Sequence, residues 1–329
     1  MPVNDDRRWL AAAAALAARA RPLSRPNPAV GAILVRDGTV IAQGWTQPGG
    51  RPHAEAVALA EAGTGSRATG ATLYVTLEPC AHQSTRGPAC AELVAASGVA
   101  RVVIGCGDPD PRTAGAGIAR LRAAGIAVDL APSPEAEASL AGYLMLRRRG
   151  RPEVTLKLAM SLDGAIATGS GESQWITGPQ ARAHCHAMRA KADAILVGGS
   201  TLRADSPRLD VRLPGLEGRS PERWVLTRGT APDGWHTLPS PEAIHAMAGV
   251  QYLFVEGGAA TAAAFLRAGL VDRLLLYRAP ILIGGGLPCI SDFGLGSLAD
   301  AHGRWRRVDS RRLGSDIFES YEAVPCSPE

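Results

Sequence analysis

Long apolar runs are missing from this chain. No stretch of 18 or more residues is apolar throughout, so no transmembrane helix is expected. Cysteine is scarce, with six residues at irregular spacing in 329. That is not a disulfide framework, and it fits thiol or metal chemistry in a reducing compartment better. Aromatic residues make up 5% of the chain, too little to build the basic, aromatic-lined face that holds single-stranded nucleic acid. Lysine is almost absent: Lys157 and Lys191 are the only two among 35 basic residues. The formal charge of +4 is a mild surplus spread along the chain, not the patch or stripe of a nucleic-acid binder. The expected partner is therefore a small molecule, with neither nucleic acid nor membrane. The sequence leaves a homo-oligomer open.

The N-terminal segment needs a separate reading. Arg7-Arg8 ahead of residues 10–18 has the outline of a signal peptide. The run is mostly alanine, however, and Asp5 and Asp6 occupy what should be a positive region. Asn4 or Asp5 reads better as the cap of a helix whose body is the alanine run. The chain is read as cytoplasmic.

What is present points to two domains. A length of 329 residues and a hydrophobic content of 46% allow a full core in each half. In the first half, residues 29–35 and 39–43 flank Asp37-Gly38, a hairpin signature. Helices are expected over 53–62, 90–96 and 118–124, and strands over 71–77, 101–106 and 126–130. Such alternation implies a mostly parallel sheet with helices on both faces. The run Arg147-Arg148-Arg149-Gly150-Arg151-Pro152 reads as a linker. Beyond it, strands are expected over 154–160, 194–197, 224–226, 252–255 and 274–277, with helices over 181–191 and 260–268. The halves share no evident repeat, so two unlike α/β domains are expected, over 1–146 and 152–329.

One constellation in the first half carries chemistry. His53-Ala54-Glu55 opens a helix, Pro79-Cys80 closes a strand and Cys90 opens another helix. One imidazole and two thiolates supply three ligands, which leaves the fourth tetrahedral position of Zn²⁺ for water, a catalytic arrangement. Glu55 lies two residues beyond its neighbouring ligand and can serve as the proton shuttle. This is the signature of zinc nucleobase deaminases. A helix N-terminus at Cys90 favours the thiolate.

Further residues make the reading specific. Pro26-Asn27-Pro28-Ala29-Val30-Gly31, His53-Ala54-Glu55, Thr76-Leu77-Glu78-Pro79-Cys80, His82, Cys90 and Gly107-Asp108-Pro109 together resemble the deaminase domain of the bifunctional riboflavin-biosynthesis deaminase/reductases. Other deaminases of the superfamily usually place the two cysteines as C-x-x-C; nine residues separate them here. The family's intervening loop has eight and reads like S-H-x-G-[KR]-T-P-P. His82 is kept, but the Gly-basic-Thr order is scrambled. Arg86 is expected to take over the basic role, with Gly87 turning the chain back toward Cys90. Asn27 is a candidate substrate contact.

The second half resembles the family's partner domain in the segments 157–164, 171–177 and 255–258, and at Arg189, Thr201, Asp205-Ser206-Pro207, Leu209 and Arg212. The resemblance implies a cytidine-deaminase-like three-layer α/β/α domain followed by a dihydrofolate-reductase-like α/β domain, with Zn²⁺ and NADPH as cofactors. It places NADPH at Ala159, Trp175, Thr201, Asp205, Gly258, Ala259, Ala260, Thr261, Ala262, Ala263 and Ala264. It places substrate at Ser173, Arg189, Leu209, Arg212 and Glu256. Gly257-Gly258 between a strand and a helix suits a pyrophosphate, and guanidinium suits a phosphate. Lys157 stands out because this chain uses arginine almost everywhere else. His184-Cys185-His186 is not a metal motif, because positions i and i+2 of a helix do not face together.

The implied reaction is hydrolytic deamination of a ribosylaminated diaminopyrimidinone 5′-phosphate, then reduction of its ribose to a ribityl chain. Three other readings stay open at this point. They are a paralogue acting on another pyrimidine- or pteridine-like metabolite, a tRNA or nucleoside deaminase with an appended domain, and a non-catalytic binding protein. The intact Glu55 and three ligands disfavour the last.

Overall fold

The computed structural model describes residues 3–63, 67–82 and 84–324. Gln83 in the inter-cysteine loop and Cys326 lie outside the described residues. The chain divides into two compact units between Gly150 and Arg151. No helix among the described residues is long and apolar enough to cross a membrane.

In the first unit the elements run α1 (Val3–Ala17), β1 (Gly31–Arg36), β2 (Thr39–Trp45), α2 (Ala54–Ala62), β3 (Thr72–Val75), α3 (Cys90–Ala95), β4 (Arg101–Ile104), α4 (Ala116–Ala123), β5 (Ala127–Leu130), α5 (Pro134–Ser139) and α6 (Ala141–Arg149). The sheet order is β2-β1-β3-β4-β5. β1 is antiparallel to both neighbours, whereas β3, β4 and β5 are parallel. The hairpin turns at Asp37 and Gly38 with φ of 51° and 73°, the left-handed pair that a two-residue connection requires. Strand side chains alternate between faces. Leu34, Leu73 and Val102 join one core with Ala58, Val94 and Leu121 of the helices. Ile33, Val35, Tyr74 and Val103 join another with Trp9, Leu10 and Leu16 of α1. The result is the expected three-layer α/β/α arrangement.

Two local expectations are corrected. α1 begins at Val3, so neither Asn4 nor Asp5 is its cap; Asp5 and Asp6 lie in its first turn. Carboxylates there still complement the helix dipole, and Asp6 also pairs with Arg101 at 2.8 Å. The arginine run is not a linker. Arg147, Arg148 and Arg149 form the last turn of α6, and Gly150 caps it with φ 66°. Cations suit a helix C-terminus, so the charge run is compatible with a helix. Arg151 then opens the second unit with a buried ion pair to Asp272 at 2.6 Å.

The second unit runs β6 (Glu153–Met160), β7 (Ala165–Ala167), α7 (Pro179–Arg189), β8 (Ala194–Gly198), α8 (Gly199–Asp205), β9 (Glu222–Leu226), β10 (His236–Leu238), β11 (Tyr252–Val255), α9 (Ala259–Arg267), β12 (Arg273–Arg278), β13 (Leu287–Pro288), β14 (Trp305–Leu313) and β15 (Asp316–Ala323). The main sheet has the order β10-β9-β8-β11-β6-β12-β15-β14. Strands β10 through β12 in that order are parallel, and β15 and β14 close the edge antiparallel. Its two faces are again filled by alternation, with Leu156, Leu196 and Val255 on one side and Ile195, Val197 and Phe254 on the other.

Candidate active sites

In the first unit, His53, Cys80 and Cys90 come together although 37 residues separate the first from the last. Three element ends do this. His53 is the N-cap residue of α2. Cys90 is the first residue of α3. Cys80 follows β3, and its carbonyl accepts from Ala91 N at 3.1 Å, which docks the loop onto α3. His53 Nδ1 lies 3.3 Å from Cys90 Sγ and 3.6 Å from Cys80 Sγ, and all the ligand atoms lie within 4.8 Å of one another. A tetrahedral zinc with ordinary bond lengths needs ~3.6 Å between its nitrogen and sulfur ligands, so the donor set fits in kind and spacing.

The surroundings prepare these ligands. The Asn27 amide meets His53 Nε2 at 3.0 Å, leaving Nδ1 to face the sulfurs, and Asn27 Nδ2 also donates to Gly50 O at 2.9 Å. Gly50 cannot carry a side chain there: a Cβ would lie 2.6 Å from Asn27 Cγ. Hydrogen bonding from Cys90 pulls the Cys80 thiol down to about 4, against its burial and with help from His53. Part of that comes from the Cys90 backbone N–H, which donates to Cys80 Sγ at 3.3 Å. Cys90 is raised by the neighbouring Cys80 and by burial. Glu55, in the first turn of α2 and 3% exposed, is raised to about 6 by burial. It opens onto the same cavity of about 230 Å³ as His53 and Cys80.

His82, Asn27 and Arg86 also line this cavity. His82 Nδ1 meets Thr113 Oγ1 at 3.5 Å. Arg86 Nη2 donates to Gly49 O at 2.7 Å. The chain turns back at Gly87, whose N–H donates to Ser84 O at 3.1 Å. Sequence reasoning gave no role to several residues that the fold adds here: Asp108, Asp110, Arg112, Tyr143 and Arg147. Only Asp108 carried a signal, in the Gly107-Asp108-Pro109 match. Glu78, from the Thr-Leu-Glu-Pro-Cys match, positions that loop by accepting from Gly115, Gly117 and Ile118 N–H at 3.0–3.2 Å.

The second unit carries a cleft of about 580 Å³ at the carboxyl ends of β6, β8 and β11, where parallel sheets bind ligands. Ala159, Trp175, Thr201, Asp205, Gly258, Ala259 and Ala260 line it. Thr261, Ala262 and Ala263 instead lie buried on α9, and Ala264 too is off the cleft wall. Thr261 packs against the turn before α9, where a Cβ on Gly257 would lie 2.3 Å from its own Cβ. Gly258 caps α9 without a side-chain hydrogen bond, and Gly257, Gly258, Ala259 and Ala260 place the start of the helix on the cleft wall. Such a helix start suits a pyrophosphate, so the residues present fit a dinucleotide.

Ser173, Arg189, Leu209, Arg212 and Glu256 line the same cleft. Leu209 holds a φ of 54°, uncommon for a bulky residue. Arg189 is engaged by Glu256, with Nη2 at 3.0 Å from Oε2. Lys157 Nζ reaches the same carboxylate at 3.4 Å. Burial alone would raise Glu256; Lys157 and Arg189 instead bring it down to about 2. Burial works against the Lys157 charge, but Cys185 and Glu256 more than offset it, and its pKa rises. His184 turns away to Tyr277, and the only metal-type cluster among the described residues is His53, Cys80 and Cys90.

A deaminase-type metal centre in one α/β unit and a dinucleotide cleft in a second define a hydrolase joined to a reductase. Residues 3–106 match the cytidine and deoxycytidylate deaminase zinc-binding region, and residues 152–236 and 242–318 match the RibD C-terminal domain. The riboflavin biosynthesis protein RibD of Escherichia coli K12 is 39% identical over 363 residues, covering 95% of this chain and 98% of its own. That of Aquifex aeolicus is 35% identical over 350 residues, covering 95% and 97%. The structure of Acinetobacter baumannii RibD aligns with a TM-score of 0.86 at 33% identity, over 98% of this chain and all of that one. A diaminohydroxyphosphoribosylaminopyrimidine deaminase/5-amino-6-(5-phosphoribosylamino)uracil reductase from Thermotoga maritima aligns at 0.85 with 29% identity, over 98% and 99%. The chain belongs to the RibD family of bifunctional riboflavin-biosynthesis deaminase/reductases. It is a zinc-dependent deaminase and an NADPH-dependent reductase.

The ligand set has a direct check. Purified wild type is expected to carry about one zinc per chain, and Cys80→Ser to lose most of it, because one open-site ligand of three is replaced by a poor one. Equal zinc in the two proteins by elemental analysis would remove Cys80 from the set.

Proposed function

We propose that the first unit hydrolyses the 2-amino group of a ribosylaminated diaminopyrimidinone 5′-phosphate, and that the second unit then reduces the ribose to a ribityl chain. The observation that carries the first step is Glu55 buried in the same cavity as the His53/Cys80/Cys90 centre. His53, Cys80 and Cys90 would hold the zinc, which would supply a water acidic enough to act as nucleophile at neutral pH. Glu55 takes the proton of that water and passes it to the ring nitrogen and the leaving amine. Asn27 orients His53 and the pyrimidine edge, while His82 and Arg86 contact the substrate from the loop between the two cysteines.

For the second step, NADPH supplies a hydride. Ala159, Trp175, Thr201, Asp205 and the start of α9, which line the cleft, would hold the cofactor. Ser173, Arg189, Leu209, Arg212 and Glu256 hold the substrate beside it. Delivery of hydride to C1′ breaks the bond from C1′ to the ring oxygen, and that oxygen takes a proton, giving the open ribityl chain. The protein's contribution is position and charge: Glu256 keeps Lys157 and Arg189 protonated at one wall.

The test is to supply the diaminopyrimidinone ribotide with and without NADPH and to identify products by mass. Without NADPH the mass should rise by about one unit, as an amino group gives way to oxygen. With NADPH it should rise by about two more. A product set lacking the first change would shift the reading to a paralogue acting on another pyrimidine-like metabolite.

A further inference from the structure

The deaminase cavity holds charge that its hydrolytic chemistry does not use. Asp110, 6% exposed, is gripped by two guanidiniums. Arg112 reaches it through Nε at 3.0 Å and Nη2 at 2.6 Å, and Arg147 Nη2 lies 3.3 Å from Oδ2. Two cations thus share one carboxylate, and the triad keeps a surplus positive charge. Among the described residues neither guanidinium pairs with another carboxylate. Each has five N–H donors, so donors remain for a further anion.

The placement of Arg147 is selective. Three arginines end α6, yet only Arg147 folds onto the cavity, with its guanidinium 5.5 Å from the centre of the Tyr143 ring. Tyr143 is fixed in turn, donating to Asp108 Oδ1 at 2.8 Å. The cavity is also graded. Its buried end holds Glu55, 3% exposed, and Cys80, 8% exposed. Arg112 and Arg147, with side chains 60% and 41% exposed, stand at its open end. A ligand with a flat polar ring at one end and a dianion at the other matches this gradient, because guanidinium forks bind phosphate oxygens in pairs.

We propose that Arg147 and Arg112, held apart and neutralised in part by Asp110, form the site that binds the 5′-phosphate of the deaminase substrate. The proposal rests on the deaminase reading above. In the free protein Asp110 offsets the repulsion between two adjacent cations. When the ribotide enters, the remaining donors meet phosphate oxygens while the base reaches Glu55. The subsite makes the first unit selective for the phosphorylated substrate over its riboside.

The test compares ammonia release from the ribotide and from the dephosphorylated riboside in wild type and Arg147→Gln. Arg112 still holds Asp110 in this variant, so the loop keeps its anchor. Arg147→Gln should lower kcat/KM for the ribotide about tenfold or more, as loss of a charge-assisted hydrogen bond does, with the riboside changed by less than about twofold. Arg147→Lys should recover part of the loss. An equal loss on both substrates, or an unchanged preference for the phosphorylated one, overturns the proposal. Should the variant fail to fold, inhibition of wild-type deamination by ribose 5-phosphate against ribose asks the same question; equal inhibition overturns it as well. No ammonia from either substrate in wild type would refute the deaminase reading itself, and the phosphate site with it.

Discussion

Glu55→Gln is expected to slow ammonia release by about 10²–10⁴-fold, the usual contribution of a positioned proton shuttle. Zinc content and NADPH oxidation on deaminated substrate should stay at wild-type levels. Glutamine keeps the shape and loses the ability to accept and release a proton, so a core 3% exposed has no new volume to accommodate. The ligand atoms are those of His53, Cys80 and Cys90, which accounts for retained metal. The dinucleotide cleft belongs to the other unit, which accounts for retained reduction. Burial raises the Glu55 carboxyl to about 6, toward the working pH at which a group both accepts and donates readily. Ammonia release within tenfold of wild type would return Glu55 to a structural part in α2.

Both chemical centres were legible in the sequence because each lies at element ends marked by local signals. His53 precedes a helix that Gly63 ends, Cys80 follows Pro79, and Gly257-Gly258 separates a strand from a helix. Parallel strands such as β8 and β11, buried along their whole length, read as plain apolar runs. What escaped lacks those signals. β14 is an edge strand with four arginines and is mostly exposed, so its alternation shows no apolar face. β15 pairs with it and carries Asp316, Glu319 and Glu322 among its apolar residues. α6 ends in arginines that resemble a linker. Asp110, Arg112 and Arg147 could not be joined on paper either. Their meeting depends on Glu78 fixing the 107–118 loop and on α6 returning beside it, long-range packing that no local pattern encodes.

Lys157→Met should cut reductase turnover by about a hundredfold, within the range of general acid catalysis, and change NADPH affinity much less. Lys157 lies on β6 two residues before Ala159 and lines the cleft. Its ammonium is held 3.4 Å from Glu256, and the surroundings keep it charged. Opening the ribose needs a proton at the ring oxygen as hydride arrives, and an ammonium can give one. The guanidinium of Arg189 cannot readily do so, because its proton is held too tightly, and it is already committed to Glu256 and to Asp210 O at 3.0 Å. A proton-donating role would account for a chain with two lysines among 35 basic residues keeping one here. It also separates catalysis from packing. Methionine fills the lysine stem and leaves Glu256 paired with Arg189, so the fold should survive. Lys157→Arg preserves positive charge and should nevertheless fail to restore turnover. Steady-state kinetics on the deaminated ribotide, with NADPH binding measured separately, decides the matter. Wild-type turnover at saturating cofactor in Lys157→Met, or full rescue by arginine, would show that Lys157 serves only to balance the charge of Glu256.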